Sequence, residues 1–418
     1  MKVCFLLWSP DISGGTNVIF EHATRLVEMG VDVTIVTHDS VSSERLSWFP
    51  GSENLAWRTF DQISAHQFDV AIATWWRTVF SLHLVSAKKY VYFVQSIESK
   101  FYPEGEVFLR NTVDMTYMLG LNIITEATWI KSFLEKNYGC SVHLVRNGIR
   151  KEYFFDAISP IEDRQENKFR LLVEGPLGVS FKNTELAVEL AKKSNADEVW
   201  LLTSTEIAYY SGVDRLFSRV PISEVGAIYA SCDAILKLST VEGMFGPPLE
   251  AFHCGATSIS YDVTGFDEYI VDGKNALVSF SRKDEDVIEK INCLASNKDK
   301  LNALKDNALI TARAWPSWDI SSKAFMEACS DISCNGNGNI TSSVLEYKTA
   351  IIWSSYEESL RRLSSMDTGL STSFKGKIAH YIMLKSPRVF SYLRRALWAY
   401  RVSKMKATVL FQRCLKRS

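Results

Sequence analysis

The sequence predicts an α/β protein built from two doubly wound, parallel-sheet domains. Three observations predict it. Short apolar runs alternate with amphipathic stretches twice along the 418 residues, a polar stretch at 159–168 separates the two series, and in each series a glycine-bearing loop joins a strand to a helix. Strands separated by helices cannot pair as hairpins, so they favour a parallel sheet covered on both faces. The length allows two cores, and 46% hydrophobic with 23% charged residues is ordinary globular composition.

The first series fills residues 1–150. Residues 3–7 read as a strand. Residues 17–29 carry apolar side chains at 18, 19, 23, 26, 27 and 29, close to helical spacing, and Gly30 follows where a C-cap glycine belongs. Strands are expected at 31–37, 70–73 and 91–94, and helices at 106–119 and 128–137. The second series, 165–330, predicts strands at 170–173, 198–202, 234–238 and 257–261. Its helices fall at 183–193, 222–231, 248–254, 284–296 and on to about 314. Residues 334–343 (Cys-Asn-Gly-Asn-Gly-Asn-Ile-Thr-Ser-Ser) have linker composition, and 344–418 reads as a helical, basic extension.

Charge is informative only in its distribution. The formal net charge is −1, yet residues 368–418 hold twelve Lys and Arg and no Asp or Glu, leaving 35 basic and 48 acidic residues in the rest. Phe390, Tyr392, Leu393, Leu397, Trp398, Tyr400 and Val402 interleave the basic residues, the pattern of a helix lying on an anionic membrane surface. A solvated extension or a partner-docking tail fits the same residues. No nucleic-acid motif accompanies the charge. Eight scattered cysteines form no Cys-x-x-Cys pair, consistent with thiols in a reducing compartment. The apolar start, residues 3–8, is stopped by Pro10 and Asp11, and no run approaches the ~18 apolar residues of a membrane span. The expected location is the cytosol, with the sequon at Asn339 unused.

Two loops can carry chemistry. Ser239-Thr-Val-Glu-Gly-Met-Phe-Gly-Pro-Pro-Leu-Glu250 follows an expected strand, and its prolines suit a helix start, which places Glu250 in that first turn. Amide groups at such a start favour a phosphate, Gly243 and Gly246 allow close approach, and Glu242 and Glu250 can each accept from a pair of hydroxyls. A proline-capped structural turn with solvated glutamates fits the residue types as well. In the first domain Ser13-Gly14-Gly15-Thr16 stands at the nucleotide position of a doubly wound sheet, without a dinucleotide fingerprint or a Walker lysine. The seven histidines contain no His-Glu-x-x-His pattern, and no Asp-x-Asp motif stands beside a strand end, so no metal site is expected.

With these residues in view, the chain resembles a retaining glycosyltransferase of family 4, whose architecture, GT-B, sets two Rossmann-like domains face to face. Glu242 and Glu250 match that family's Glu-x7-Glu motif. The resemblance extends to Cys254-Gly255, Gly265-Phe-Asp-Glu268, Asp272-Gly273-Lys274-Asn275, the interdomain Arg146-Asn147-Gly148-Ile149 and the loop Phe181-Lys182-Asn183, covering roughly residues 1–330. Phe93-Val-Gln95 and Phe101-Tyr-Pro-Glu-Gly105 resemble a rhamnosyltransferase branch of bacterial surface-polysaccharide synthesis.

The resemblance implies a nucleoside-diphosphate-sugar donor, a glycan or lipid-linked glycan acceptor and no metal cofactor. Glu242 would steady charge at the anomeric carbon, Lys182 would neutralise the diphosphate, and Glu250 would bind the ribose. Amides of Met244, Phe245 and Gly246 would meet the sugar and phosphates, with Gly14, Gly15 and Asn147 also on the donor side. This chain departs from the pattern twice. Pro176 stands where many relatives carry an arginine, and Gln95 where many carry a histidine that reaches the donor sugar, which leaves a non-catalytic scaffold subunit as one alternative. A nucleotide-sugar epimerase of the same shape is another, although the carboxylate and histidine set of such enzymes is not seen in the first domain.

Overall fold

The structure, a computed structural model, describes residues 1–336 and 340–366. The basic segment 368–418 and its expected membrane contact lie outside the described residues. The first sheet contains seven parallel strands: β1 (Lys2–Leu6), β2 (Asp32–Thr37), β3 (Ala56–Thr59), β4 (Phe68–Ala73), β5 (Ala87–Val94), β6 (Asn122–Thr125) and β7 (Val142–Leu144), in the order β3-β2-β1-β4-β5-β6-β7. Helices α1 (Gly14–Glu28), α2 (Trp76–Val79), α3 (Val107–Thr116) and α4 (Thr128–Tyr138) connect them.

Alternate residues of each central strand enter opposite layers, as a period of two requires. Phe5, Val70, Ile72, Val91 and Phe93 join one buried cluster, and Cys4, Leu6, Ala71, Ala73, Tyr92 and Val94 join the other.

The second sheet repeats this plan with six strands, β8 (Arg170–Glu174), β9 (Glu198–Thr203), β10 (Arg215–Ser218), β11 (Ala234–Lys237), β12 (Thr257–Tyr261) and β13 (Leu277–Ser279), in the order β10-β9-β8-β11-β12-β13. Its helices are α5 (Thr184–Lys193), α6 (Ile222–Ser231), α7 (Gly246–His253), α8 (Asp284–Ser296) and α9 (Lys298–Ala314).

The chain then returns to the first sheet. Helix α10 (Trp318–Asn335) sends Trp318, Phe325, Cys329 and Ile332 into the cluster that holds Phe5 and Phe93, with the Phe5 and Phe325 rings 5.9 Å apart. Its apolar stripe recurs at helical spacing and covers a face of the first sheet. Residues 318–330, expected from sequence to belong to the second domain, thus pack into the core of the first. Leu345 and Ile352, on helix α11 (Ser342–Met366), pack into the opposite layer. No described helix is long and apolar enough to cross a membrane.

Two chain segments join the domains side by side. Ile149 donates its N–H to the carbonyl of Pro316 at 3.1 Å, and the Trp315 indole donates to Asn147 O at 2.8 Å. A Cβ on Gly148 would lie 2.3 Å from the backbone nitrogen of Trp318, so only glycine lets the segments run this close. Arg150 then reaches back to Glu21 on α1, which also pairs with Arg25. Burial raises the Glu21 carboxyl, and the two guanidinium groups counter it.

Candidate active site

In a doubly wound sheet, ligands bind beyond the strand ends where the strand order reverses. In the second sheet that point lies between β8 and β11. The loop after β8 carries Lys182, and the loop after β11 carries Glu242. The two meet: Lys182 Nζ donates to both Oε1 and Oε2 of Glu242 at 2.7 Å. The lysine loop is fixed by Asn183, whose Nδ2 donates to Leu238 O at 3.0 Å, and by the Thr240 N–H on Phe181 O at 2.8 Å. The glutamate loop is pinned from the β12 side. Glu242 N–H donates to the Thr264 hydroxyl at 3.0 Å, and that hydroxyl donates to Glu242 O at 2.8 Å.

Beneath this pair lies a second one that the sequence reading missed. Lys237 closes β11 with 3% of its side chain exposed and bonds Glu174 at the end of β8. Burial opposes ionisation of Glu242, but the ammonium groups of Lys182 and Lys237, with hydrogen bonds from Lys182 and Ser239, outweigh it and hold the carboxyl below the usual range. The signal was present as a lysine inside the apolar run Ala-Ile-Leu-Lys-Leu and a glutamate ending Arg-Leu-Leu-Val-Glu.

Helix α7 begins at Gly246, with Pro247 and Pro248 in its first turn. That is two residues earlier than expected and puts Glu250 in the second turn, not the first. Tyr229 donates its hydroxyl to Glu250 Oε2 at 3.3 Å. Enclosure, then the charge of Glu174, push the Glu250 carboxyl up to about 7. Glu242 and Glu250 thus face the same buried lysine from one loop and one helix while holding different charge states near neutrality.

The first domain closes over this loop. Gly243 lies so near β5's continuation that a Cβ there would be 1.9 Å from Gln95 O. Ser96 donates its hydroxyl to Glu242 O at 3.4 Å, and the Trp129 indole donates to Gly243 O at 2.8 Å. Glu126, at the end of β6, accepts from Met244 N–H at 2.9 Å and from Asn147 Nδ2 at 2.8 Å. Burial first, and then the charge of Glu242, raise Glu126 to about 7. From the opposite side, Glu268 accepts from the N–H groups of Thr128 and Trp129 and from the Thr128 hydroxyl at 2.9 Å. The second domain therefore caps helix α4 of the first, a favourable placement for a carboxylate.

The expected site residues divide by place. Glu242, Lys182, Glu250 and the 243–246 loop gather at one strand end, and Gln95 lies against that loop. A Cβ on Gly15 would lie 3.3 Å from the Gln95 side chain, whereas Gly14 has open space around it. Asn147 is buried and reaches the loop through Glu126. Two of the three amides expected for a ligand are engaged within the protein, Met244 with Glu126 and Gly246 with Met244 O at 3.0 Å. Phe245 is fully buried. Pro176 accepts from the Thr184 hydroxyl through its carbonyl at 2.9 Å and brings no charge to the site.

Comparisons with known proteins bear on the fold and on the second domain. Residues 152–310 match the family Glycosyl transferases group 1. No curated protein matches by sequence. Among solved structures, sucrose-phosphate synthase from Thermosynechococcus elongatus superposes with a TM-score of 0.64 at 13% identity, over 78% of this chain and 98% of that one. HepE from Anabaena, solved with UDP and glucose, gives 0.63 at 14% identity over 79% and 100% of the two chains. TarM from S. aureus, solved with alpha-GlcNAc-glycerol and UDP, gives 0.63 at 10% identity over 78% and 99%.

Proposed function

We propose that the chain, with its group 1 glycosyl transferase match at residues 152–310 and the GT-B fold across both domains, is a glycosyltransferase that moves a sugar, with retention, from a nucleoside diphosphate to a glycan or lipid-linked glycan acceptor of a surface polysaccharide. The observation that carries the reading is the Lys182–Glu242 pair at the strand-order reversal of the second sheet, held over the buried Lys237–Glu174 pair.

A diphosphate entering this loop competes with Glu242 for the Lys182 ammonium. Once Lys182 turns to the phosphates, Glu242 remains ionised beside Lys237 and is free to accept hydroxyls of the sugar. A carboxylate there stabilises positive charge growing at the anomeric carbon, and a point-charge ammonium suits the leaving diphosphate. The acceptor hydroxyl forms the new C–O bond as the sugar–phosphate bond breaks. The electron pair leaves with the phosphate oxygen, which takes the hydroxyl proton. The leaving-group charge is assigned to Lys182, so this reading calls on no metal. Glu250 binds the ribose, with its carboxyl near half-protonation at neutral pH.

The test is donor cleavage across a panel of nucleoside diphosphate sugars, starting with UDP-sugars because two of the similar structures hold UDP and including deoxyhexose donors. Wild type should cleave at least one donor, and Glu242→Ala and Lys182→Ala should not. Wild-type rates in both variants would refute the site. Release of an isomerised donor would indicate an epimerase, and binding without cleavage a scaffold subunit.

A further inference from the structure

The first sheet has its own strand-order reversal, between β1 and β4, and an aromatic cluster occupies it. Trp8 follows β1 and is 47% exposed. Trp75 follows β4, its ring 5.5 Å from that of Trp8 in an edge-to-face arrangement. His38 follows β2 and packs 5.8 Å from Trp8. Arg77, exposed on helix α2, lies 5.3, 5.2 and 5.1 Å from the ring centroids of Trp8, Trp75 and Trp76. Among the described residues Arg77 pairs with no carboxylate.

This cluster connects to the glutamate loop through Gln95 and Thr74. Gln95, against Gly243, donates from Nε2 to Thr74 O at 3.4 Å, and Thr74 precedes Trp75.

An exposed tryptophan beside a half-buried one, with an arginine that meets no carboxylate, is an uneconomical way to end a sheet unless they meet a ligand. An indole offers a flat apolar face to the C–H face of a pyranose. A guanidinium held against three rings, with one N–H on the Tyr102 hydroxyl, has further N–H groups to give an anion, and a guanidinium can bind phosphate or carboxylate through two parallel hydrogen bonds. We propose that Trp8, Trp75 and Arg77 form the acceptor subsite, and that the acceptor is an anionic saccharide, its ring on the indoles and its phosphate or carboxylate on Arg77. The proposal rests on the glycosyltransferase reading and names the acceptor class for the same cleft.

The experiment uses the full chain and ligand-observed NMR with hexose 1-phosphates, hexuronic acids and methyl hexosides, for wild type, Trp8→Ala, Arg77→Gln and Arg77→Lys. Nucleoside diphosphate binding is measured in parallel. Charged probes should bind about tenfold or more tightly than the neutral glycosides, and Arg77→Gln should abolish that preference. Trp8→Ala should weaken all probes, and Arg77→Lys should restore part of the preference. Binding of phosphates alone would assign a phosphorylated acceptor, and binding of both anion types would add uronic acids. Equal binding of neutral and charged probes, or retention within twofold by Trp8→Ala and Arg77→Gln, overturns the proposal. Unchanged nucleoside diphosphate affinity in these variants keeps its failure separate from failure of the donor site.

Discussion

The two sheets reverse strand order in the same way but end in different chemistry. The reversal of the second sheet holds Glu174, Lys237, Glu242, Lys182 and Glu250, charged groups neutralising one another over a buried floor. That of the first holds Trp8, Trp75, Gly14 and Gly15, with Arg77 as its cation. A shared strand-order reversal therefore sets where a ligand can bind and leaves its nature to the loops. Paired charges suit a diphosphate and sugar hydroxyls; aromatic faces with one guanidinium suit a saccharide that carries an anion.

The comparison can be broken from the charged side first. Lys182→Ala or Glu242→Gln should lower donor cleavage by about 10²–10³, the usual loss for one preorganised electrostatic group, read as initial rates. Next comes the seam between the regions. Gly243→Ala places a Cβ 1.9 Å from Gln95 O, so the domains must part. Cleavage should fall by about 10², with nucleoside diphosphate affinity held within a few-fold. Equal losses of affinity and rate would show that the glycine serves the loop and not the seam.

Lys237→Met tests the floor. It leaves Glu174 unpaired and should cost about 3 kcal/mol of stability by urea unfolding, the low end for a broken buried pair because Glu174 is partly exposed.

The smallest expected effect is on pH. Burial raises Glu98, which accepts from Trp76 N–H at 2.7 Å and from the Tyr92 hydroxyl, to about 8. Glu126 and Glu250 are raised to about 7. A carboxyl raised on folding contributes stability that is complete below its unfolded value and is lost as pH rises through the folded one. The melting temperature should therefore fall between about pH 5 and 8, set by these raised values against an ordinary glutamate. Glu98→Gln should flatten the upper part of that fall. A melting temperature that rises through this window would contradict the assignment.

The legible part of the fold was its centre. Strands β1, β2, β4, β5, β8, β9, β11 and β12 are buried on both faces and stand out as apolar runs. Five strands were not expected from sequence: β6, a four-residue strand inside the first sheet, and the edge strands β3, β7, β10 and β13. Edges are half-covered and short, three or four residues here, so neither hydrophobicity nor periodicity marks them. Helix α10 was hidden differently. Its stripe of Trp318, Phe325 and Ile332 is readable, but nothing local says that it packs across the hinge onto the other domain.

The site followed the same division. Glu242, Glu250 and Lys182 sit in a contiguous motif or a recognisable loop. Glu126, Glu268, Lys237 and Glu174 act through residues far away in sequence. A lone buried lysine in a strand is as easily read as a structural ion pair, and the capping of α4 by Glu268 exists only once the domains meet.

The central claim, that the charged strand end of the second domain is a nucleoside-diphosphate-sugar site, is tested most directly by calorimetric titration of UDP into wild type and Lys182→Ala. The account predicts saturable binding by wild type below millimolar concentration and a loss of about tenfold or more in Lys182→Ala, the value of a charged hydrogen-bonding partner. If UDP is silent, the other nucleoside diphosphates take its place. No binding of any of them at millimolar concentration, or equal affinity in the variant, would contradict it.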